Sequence, residues 1–262
     1  MSAGAPAPRL GRRGLLAAGG GLLLAGCDRL VADPGAREAL RAVERLNRRL
    51  ARAARPVMAA EFTLADLSPS FHPNGTTHPR GASYARHLAR GFADWRLVVD
   101  GLVERPLALG LPALRAMPAR TQITRHDCVE GWSAIGQWTG VPVAHLLRLA
   151  GLKPDARFLV IHCADNLERP EGADSIDVPG QYYESIDLDD AFHPQTILAW
   201  GMNGAPLPVR HGAPLRLRVE RHLGYKHAKY VTRLEAVANF PRYGRGRGSF
   251  WADRGYEWWA GV

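Results

Sequence analysis

The stretch that decides the fold runs from His193 to Val219, HPQTILAWGMNGAPLPVRHGAPLRLRV. Thr196 to Met202 is an apolar run of the kind that fills a buried strand, and Asn203-Gly204 behind it supplies a hairpin turn, since both residues accept a positive φ. Leu215 to Glu220 and Lys229 to Val237 read as two further strands. Working upstream, Phe158 to His162 is another buried strand, and Pro142 to Leu149 is a helix with Pro near its first turn and Gly151 past its end. Thr121 to His126 is a strand that leads straight into Asp127-Cys128, and residues 107–117 read as a short helix bounded by Pro106 and Pro118. Trp95, Leu97 and Val99 alternate with Arg96, Val98 and Asp100, a strand that ends at Gly101. Strands and helices mingle without strict alternation and without a G-x-G-x-x-G turn, so the class is α+β with a mixed or mostly antiparallel sheet. No internal boundary or repeat interrupts residues 61–262, which read as one domain.

The other 60 residues are different in kind. Arg12-Arg13 precedes an apolar stretch from Gly14 to Gly26, too short to span a bilayer and suited to a signal peptide. The string Leu24-Ala25-Gly26-Cys27 resembles a lipobox, and the paired arginines resemble a twin-arginine signal, so residues 1–27 read as an export signal with Cys27 as the lipidated residue; an ordinary secretory signal is the alternative. Residues 28–60 hold an Arg-rich helix and linker. The helix starts at Asp33-Pro34, carries Ala39, Leu40, Val43, Leu46, Leu50 and Ala54 as an apolar stripe, and stops before Arg55-Pro56. That stripe suits either an anionic membrane surface or packing on the domain.

The whole chain of 262 residues carries a formal net charge of +9, but residues 1–55 hold eleven Arg and four acids. Its body is nearly neutral and lacks a basic run with interleaved aromatics, which argues against a nucleic-acid partner. The chain also lacks Cys-x-x-Cys, His-Glu-x-x-His, a Walker loop, G-x-S-x-G and Cys-x-x-Cys-His, and with them the usual zinc, nucleotide, hydrolase and covalent-haem chemistries. Two body cysteines remain, Cys128 and Cys163. An even pair in an oxidising compartment suits one disulfide, and with it a non-catalytic lipoprotein binding module. The polar setting of Cys128, in TRHDCVEGW, suits a metal thiolate instead. One thiolate suffices only where a cofactor brings the remaining ligands.

The strings CVEGWS at Cys128, YYESIDL at Tyr182, the His193 stretch and LGYKHAKYV at Leu223 resemble the molybdopterin-binding domain of the sulfite oxidase family in its small bacterial form. The resemblance runs from about residue 70 to the end and implies a sulfite oxidase-type α+β domain with mixed sheets and short helices. It implies a molybdenum cofactor with Cys128 as the metal ligand. By the same resemblance His211 bonds the pterin, Arg216 pairs with its phosphate, and Gly224, Tyr225, Lys226 and Lys229 close over that end. Asn74 is implied to touch the pterin from the other side, and Asp165 to touch it after the strand that follows the cysteine, with Asn166 as the alternative.

Two departures bear on the reaction. Sulfite oxidases carry arginines soon after the ligand Cys, whereas Val129, Glu130, Gly131 and Trp132 follow it here, closer to the methionine-sulfoxide reductase branch. His211 is the sulfite-oxidase choice. The expectation is a periplasmic, lipid-anchored enzyme that transfers an oxygen atom on a small sulfur- or nitrogen-oxo substrate, in either direction. Electrons would pass to or from a separate haem or cytochrome partner, and the protein would be a monomer. The aromatics of the tail, Phe250, Trp251, Tyr256, Trp258 and Trp259, are expected to pack over the domain.

Overall fold

The computed structural model describes residues 33–54, 58–168 and 179–262. The expected export signal over residues 1–27, with Cys27, lies outside the described residues. The chain divides into two compact units, residues 1–56 and 57–262. In the first, helix α1 (Pro34–Ala54) begins where Asp33 accepts a hydrogen bond from the Ala36 amide at 2.7 Å. Val43, Leu46 and Leu50 of its stripe are exposed.

The described residues of the second unit form ten strands in two sheets. They are β1 (Arg96–Gly101), β2 (Leu107–Gly110), β3 (Arg120–Asp127), β4 (Ser133–Pro142), β5 (Phe158–Asn166), β6 (Gln181–Asp187), β7 (Ile197–Met202), β8 (Ala205–Pro206), β9 (Arg216–Arg218) and β10 (Val231–Val237). One sheet has the order β2-β1-β10-β5-β6, with β1 and β10 parallel and the other neighbours antiparallel. The other runs β3-β4-β7-β8, all antiparallel, and β9 adds to β7. The short helices α2 (Ala82–Ala89), α3 (Leu111–Arg115), α4 (Val143–Ala150) and α5 (Leu188–Ala191) fill in at the sheet ends. The sheets are mixed and the helices short, as the α+β reading expects.

The reasons are local. Leu97 and Val99 of β1 are fully buried while their alternates are not, and the strand ends at Gly101 with φ +81°. Asn203 and Gly204 take φ of 51° and 76° and turn β7 into β8. The expected helix over 107–117 is corrected by the structure. Leu107–Gly110 pairs antiparallel with β1, Leu109 opposite Leu97, and only from Leu111, with a Pro in the first turn, does the chain turn helical. Strand β5 runs on past His162 to Asn166, and β9 is shorter than Leu215 to Glu220. Strands β4 and β6 complete the set. The two sheets sandwich the main apolar core, and a smaller cluster gathers around Trp138 of β4.

Candidate active site

Cys128 follows β3 directly. Its amide donates to the Trp132 carbonyl at 2.9 Å and its carbonyl accepts from the Gly131 amide at 3.1 Å, so the CVEGW string folds into a tight loop that presents the cysteine. A cleft opens there. Its walls are Asn74, Gly75 and Thr76 on one side, Cys128, Val129 and Glu130 beside them, and Asp165, Leu167 and Tyr182 from the β5–β6 sheet. Tyr225, His227 and Lys229 come from the run between β9 and β10, and Trp251 and Tyr256 come from the tail.

The run 225–229 reaches the cleft with every second residue. Tyr225, His227 and Lys229 line it; Ala228 belongs to the core, and Lys226 is fully buried with its ammonium 2.6 Å from the Glu184 carboxylate. Lys226 also donates to the Ser185 carbonyl at 2.8 Å. The expectation that the Lys226 side chain closes over a cofactor is therefore corrected: an internal carboxylate occupies it. Gly224 sits against His126, where an added Cβ would lie 2.5 Å from the imidazole Nε2. Gly212, at φ +114°, likewise leaves room for Lys229, whose Cβ would be 2.9 Å from a side chain there.

Of the residues singled out in the sequence, Asn74, Cys128, Asp165, Tyr225 and Lys229 line the cleft. His211 and Arg216 stand behind Asn74: Arg216 donates to the Asn74 Oδ1 at 3.2 Å and to the His211 carbonyl at 3.1 Å. Lys229 donates to the carbonyls of Asn74 and Thr76. Asp165 and Asn166 have different surroundings. Asp165 lines the cleft, whereas the Asn166 side chain donates to the Pro179 carbonyl at 3.0 Å and accepts from the Glu168 amide at 3.0 Å. Sequence reading missed His227, Tyr182, Trp251 and Glu130's neighbours in the cleft; the alternation from Tyr225 to Lys229 was the signal that marks His227.

The electrostatics follow from burial. Desolvation pushes the Arg216 guanidinium down to about 9, aided by the charge of Arg218, and pushes Lys229 down to about 7, with Arg216 next in effect. Burial lifts Asp165 to about 6, against the pull of Lys229 and a hydrogen bond from Thr76. His211 falls to about 4 because it is buried beside Arg216, Arg210 and Lys229. Burial raises the Cys128 thiol; the Glu130 amide pulls it down, and the Glu130 carboxylate adds to the rise. A thiolate at Cys128 thus needs a cation on it.

Both body cysteines are free thiols. Cys128 follows β3 of one sheet and Cys163 lies inside β5 of the other, so the structure does not form the Cys128–Cys163 disulfide on which the alternative reading, a binding module, depends. Around the cleft and just behind it, His126 Nε2, Asp165 Oδ1, His211 Nδ1, Arg216 Nε and His227 Nδ1 are buried with no partner in the protein. Folded proteins leave few such atoms, and five in one place mark a site that a polar ligand completes. Among the described residues no group of three His, Cys, Asp or Glu could hold an ion by itself.

Residues 86–242 match the family model of the oxidoreductase molybdopterin binding domain. The chain belongs to this family. It is 37% identical over 260 residues to a putative protein-methionine-sulfoxide reductase subunit YedZ1 of Azospira oryzae, across 98% of this chain and 88% of that protein. It is 36% identical over 174 residues to the protein-methionine-sulfoxide reductase catalytic subunit MsrP of Ralstonia nicotianae, across 66% of this chain and 52% of the relative. The chain thus spans about half the length of that MsrP relative. The sulfane dehydrogenase SoxCD of Paracoccus pantotrophus overlaps 56% of this chain and 39% of its own at 27% identity, with a TM-score of 0.48. As a member of the molybdopterin family the protein is a cofactor-dependent oxidoreductase, and its cleft fits that group: one thiol, unpartnered polar atoms, Lys229 on the wall and Arg216 just behind it.

Proposed function

We propose that the protein reduces a neutral sulfoxide, removing its oxygen as water at the expense of two electrons and two protons and releasing the thioether. The observation that carries the choice is the wall beside Cys128. Glu130 lines the cleft there, held by a 2.9 Å hydrogen bond from the Trp132 indole, and Val129, Leu167, Tyr225, Trp251 and Tyr256 are among the other lining residues. The one cation among the described lining residues is Lys229, which is turned onto the carbonyls of Asn74 and Thr76. A carboxylate among apolar and aromatic groups repels sulfite and accepts an uncharged sulfoxide with an apolar arm. The printed names of the YedZ1 and MsrP relatives support the same substrate class.

Cys128 would hold the molybdenum. His211 and Asp165 would bond the pterin, Asn74 and the main chain of Gly224 and Tyr225 would bracket it, and Arg216 with Lys229 would meet its phosphate. When bound, the cofactor supplies two-electron oxygen-atom transfer between Mo(VI) and Mo(IV). The chain's own part is to orient it, to keep Arg216 and Lys229 dry and preorganised, and to shape the mouth for the substrate. We further propose that residues 1–27 direct export by the twin-arginine route, that Cys27 carries a lipid in the periplasm, and that a separate haem partner supplies the electrons. The naming of the relatives as subunits supports such a partner. Among the described residues no helix is long and apolar enough to cross a membrane.

Molybdenum and pterin content, measured on protein from a host that makes the cofactor, tests the reading beside Cys128→Ser. Near-stoichiometric metal in the wild type, and its loss or a changed metal spectrum in the variant, is the expected result. With a reduced dye as donor, turnover of methionine sulfoxide and none of sulfite is expected; the opposite preference overturns the substrate.

A further inference from the structure

Helix α1 takes no part in the chemistry proposed above, yet its sequence is strongly sorted. Its 21 residues hold six arginines against two glutamates, so it carries a net charge of +4. At about 100° of rotation per residue, Ala39, Val43, Leu46, Leu50 and Ala54 fall within one arc of about 80°, and no charged position falls inside it. The positions of Arg37, Arg41, Arg45, Arg48 and Arg52 lie on the arc opposite, and Arg49 stands between the two. Val43, Leu46 and Leu50 are 53%, 54% and 57% exposed. A single exposed Leu is ordinary, but three large apolar residues in line on one face form a patch that asks for an occupant.

Charge decides which occupant. The spacing of Ala39, Val43, Leu46 and Leu50 would also suit pairing with a second copy, but that would bring two helices of charge +4 together for three large apolar residues a side. The helix is not apolar enough to cross a bilayer. An anionic bilayer surface offers both complements at once, negative head groups and an apolar layer directly beneath them. We infer that α1 lies in the plane of an anionic lipid bilayer, with Val43, Leu46 and Leu50 at the boundary of the acyl chains. Arg45 and Arg49, next to the apolar arc on one side, are placed to meet head-group phosphates. The arginines of the opposite arc act through the surface field, since a helix is about as wide as the screening length. The inference needs neither the cofactor nor a lipid on Cys27, so it stands or falls apart from the molybdopterin reading.

The test is flotation of the full chain, carrying Cys27→Ser so that no lipid is attached, with vesicles of phosphatidylcholine alone or with about 30% phosphatidylglycerol. Binding to the anionic vesicles is expected to be at least about tenfold tighter than to the neutral ones, and to be released by about 0.5 M sodium chloride. In the same background Leu46→Asp with Leu50→Asp is expected to weaken it by about tenfold or more. Arg45→Gln with Arg49→Gln is expected to weaken binding to anionic vesicles by about tenfold and to leave binding to neutral vesicles unchanged. Trypsin, which cuts after arginine, should cleave α1 in the free protein and spare it on anionic vesicles. Equal binding to the two kinds of vesicle overturns the inference, as does wild-type binding by the double Leu variant. A lower thermal unfolding midpoint in that variant also overturns it, because the stripe then packs within the protein. So does a dimer in sedimentation that the same variant dissolves, which assigns the stripe to a second copy.

Discussion

Arg216 and Arg218 stand two residues apart on β9, both fully buried, and they have opposite surroundings. Arg218 makes a double bond of charge to Glu220, Nε to Oε1 at 2.9 Å and Nη2 to Oε2 at 2.6 Å, and stacks over Trp138 at 4.3 Å. Arg216 meets a carbonyl and an amide oxygen, no carboxylate, and leaves Nε unpaired. A weaker form of the contrast recurs three residues apart on the next run, where Lys226 is ion-paired with Glu184 while Lys229 is turned onto carbonyls and only feels the charge of Asp165. A buried cation with its own carboxylate is part of the scaffold; one without is held ready for an anion from outside. The difference separates structure from site without reference to any ligand.

The largest effect should come from crossing the two arginines. Arg218→Met leaves the buried Glu220 carboxylate with only the Gln122 amide, 2.8 Å away, as a partner among the described residues, and is expected to cost the cofactor-free protein about 3–5 kcal/mol in urea unfolding. Arg216→Met removes an uncompensated charge, so the cofactor-free protein should be as stable as wild type or more so, yet fail to retain pterin. Equal destabilisation by the two would break the comparison. Lys226→Met and Lys229→Met repeat the cross with Glu184 as the stranded carboxylate; burial already pushes Glu184 up to about 7 against the pull of Lys226, so it will take a proton and soften the loss.

Next in size is the response to acid. His211, His222 and His227 are all held below their ordinary range, burial first among the causes, with His211 at about 4. Each binds a proton more readily unfolded than folded, so the stability they contribute is complete above about 6.5, the ordinary value for histidine, and drains away as the pH falls toward 4. Glu235 adds to the same slope lower down: burial pushes it up, but hydrogen bonds from His162 and Tyr243 and the charge of Arg233 win and hold it at about 2. Asp165 and Glu184, lifted to about 6 and about 7, take up protons in the folded state first and partly offset this slope. The cofactor-free protein should therefore unfold at a lower temperature at pH 4 than at pH 7, with a shallow fall between them. A flat profile there would mean these rings are solvated.

How much of this was legible beforehand depends on which force decides each residue. Cys128, Asn74, Asp165, Tyr225 and Lys229 could be placed because a loop or a strand end forces their position, and the strands around Leu97 and Ile197 because apolar pattern alone fixes them. Leu107–Gly110 was misread because four residues pair as an edge strand through a partner distant from them in kind, not through their own periodicity. Strand β4 hid for a related reason: its buried positions are Ala134, Gly136, Trp138, Gly140 and Val141, and three of these five are Ala or Gly, which suit close packing yet carry little hydrophobic signal. Lys226 was misassigned because a motif names residue types, and only the fold shows that Glu184 faces it.

A smaller effect tests the mouth of the cleft. Glu130→Gln keeps the Trp132 hydrogen bond and removes the charge. Turnover of a neutral sulfoxide should change less than about threefold, whereas competition by sulfite, read as its inhibition constant, should strengthen about tenfold, the scale of one charge at close range in a partly wet site. Unchanged competition would place the discrimination elsewhere in the cleft.

The smallest expected effect on the fold belongs to Tyr256. The tail was read as packing, and most of it does pack: Phe250 is buried and Trp258 stacks on Phe240 at 5.8 Å. Trp251 and Tyr256 depart from that reading, since they line the cleft, with their rings 5.1 Å apart and Tyr225 5.3 Å beyond Tyr256. At 41% exposure Tyr256 gives up little buried area on truncation, so Tyr256→Ala should shift stability by no more than about 0.5 kcal/mol. If the aromatic lip receives the apolar arm of the sulfoxide, the same variant should raise KM several-fold for a sulfoxide with an aryl or long alkyl arm and leave KM for dimethyl sulfoxide nearly unchanged. An equal rise for both would make the lip a general wall of the cleft, and the substrate's arm would have to lie along Val129 and Leu167 instead.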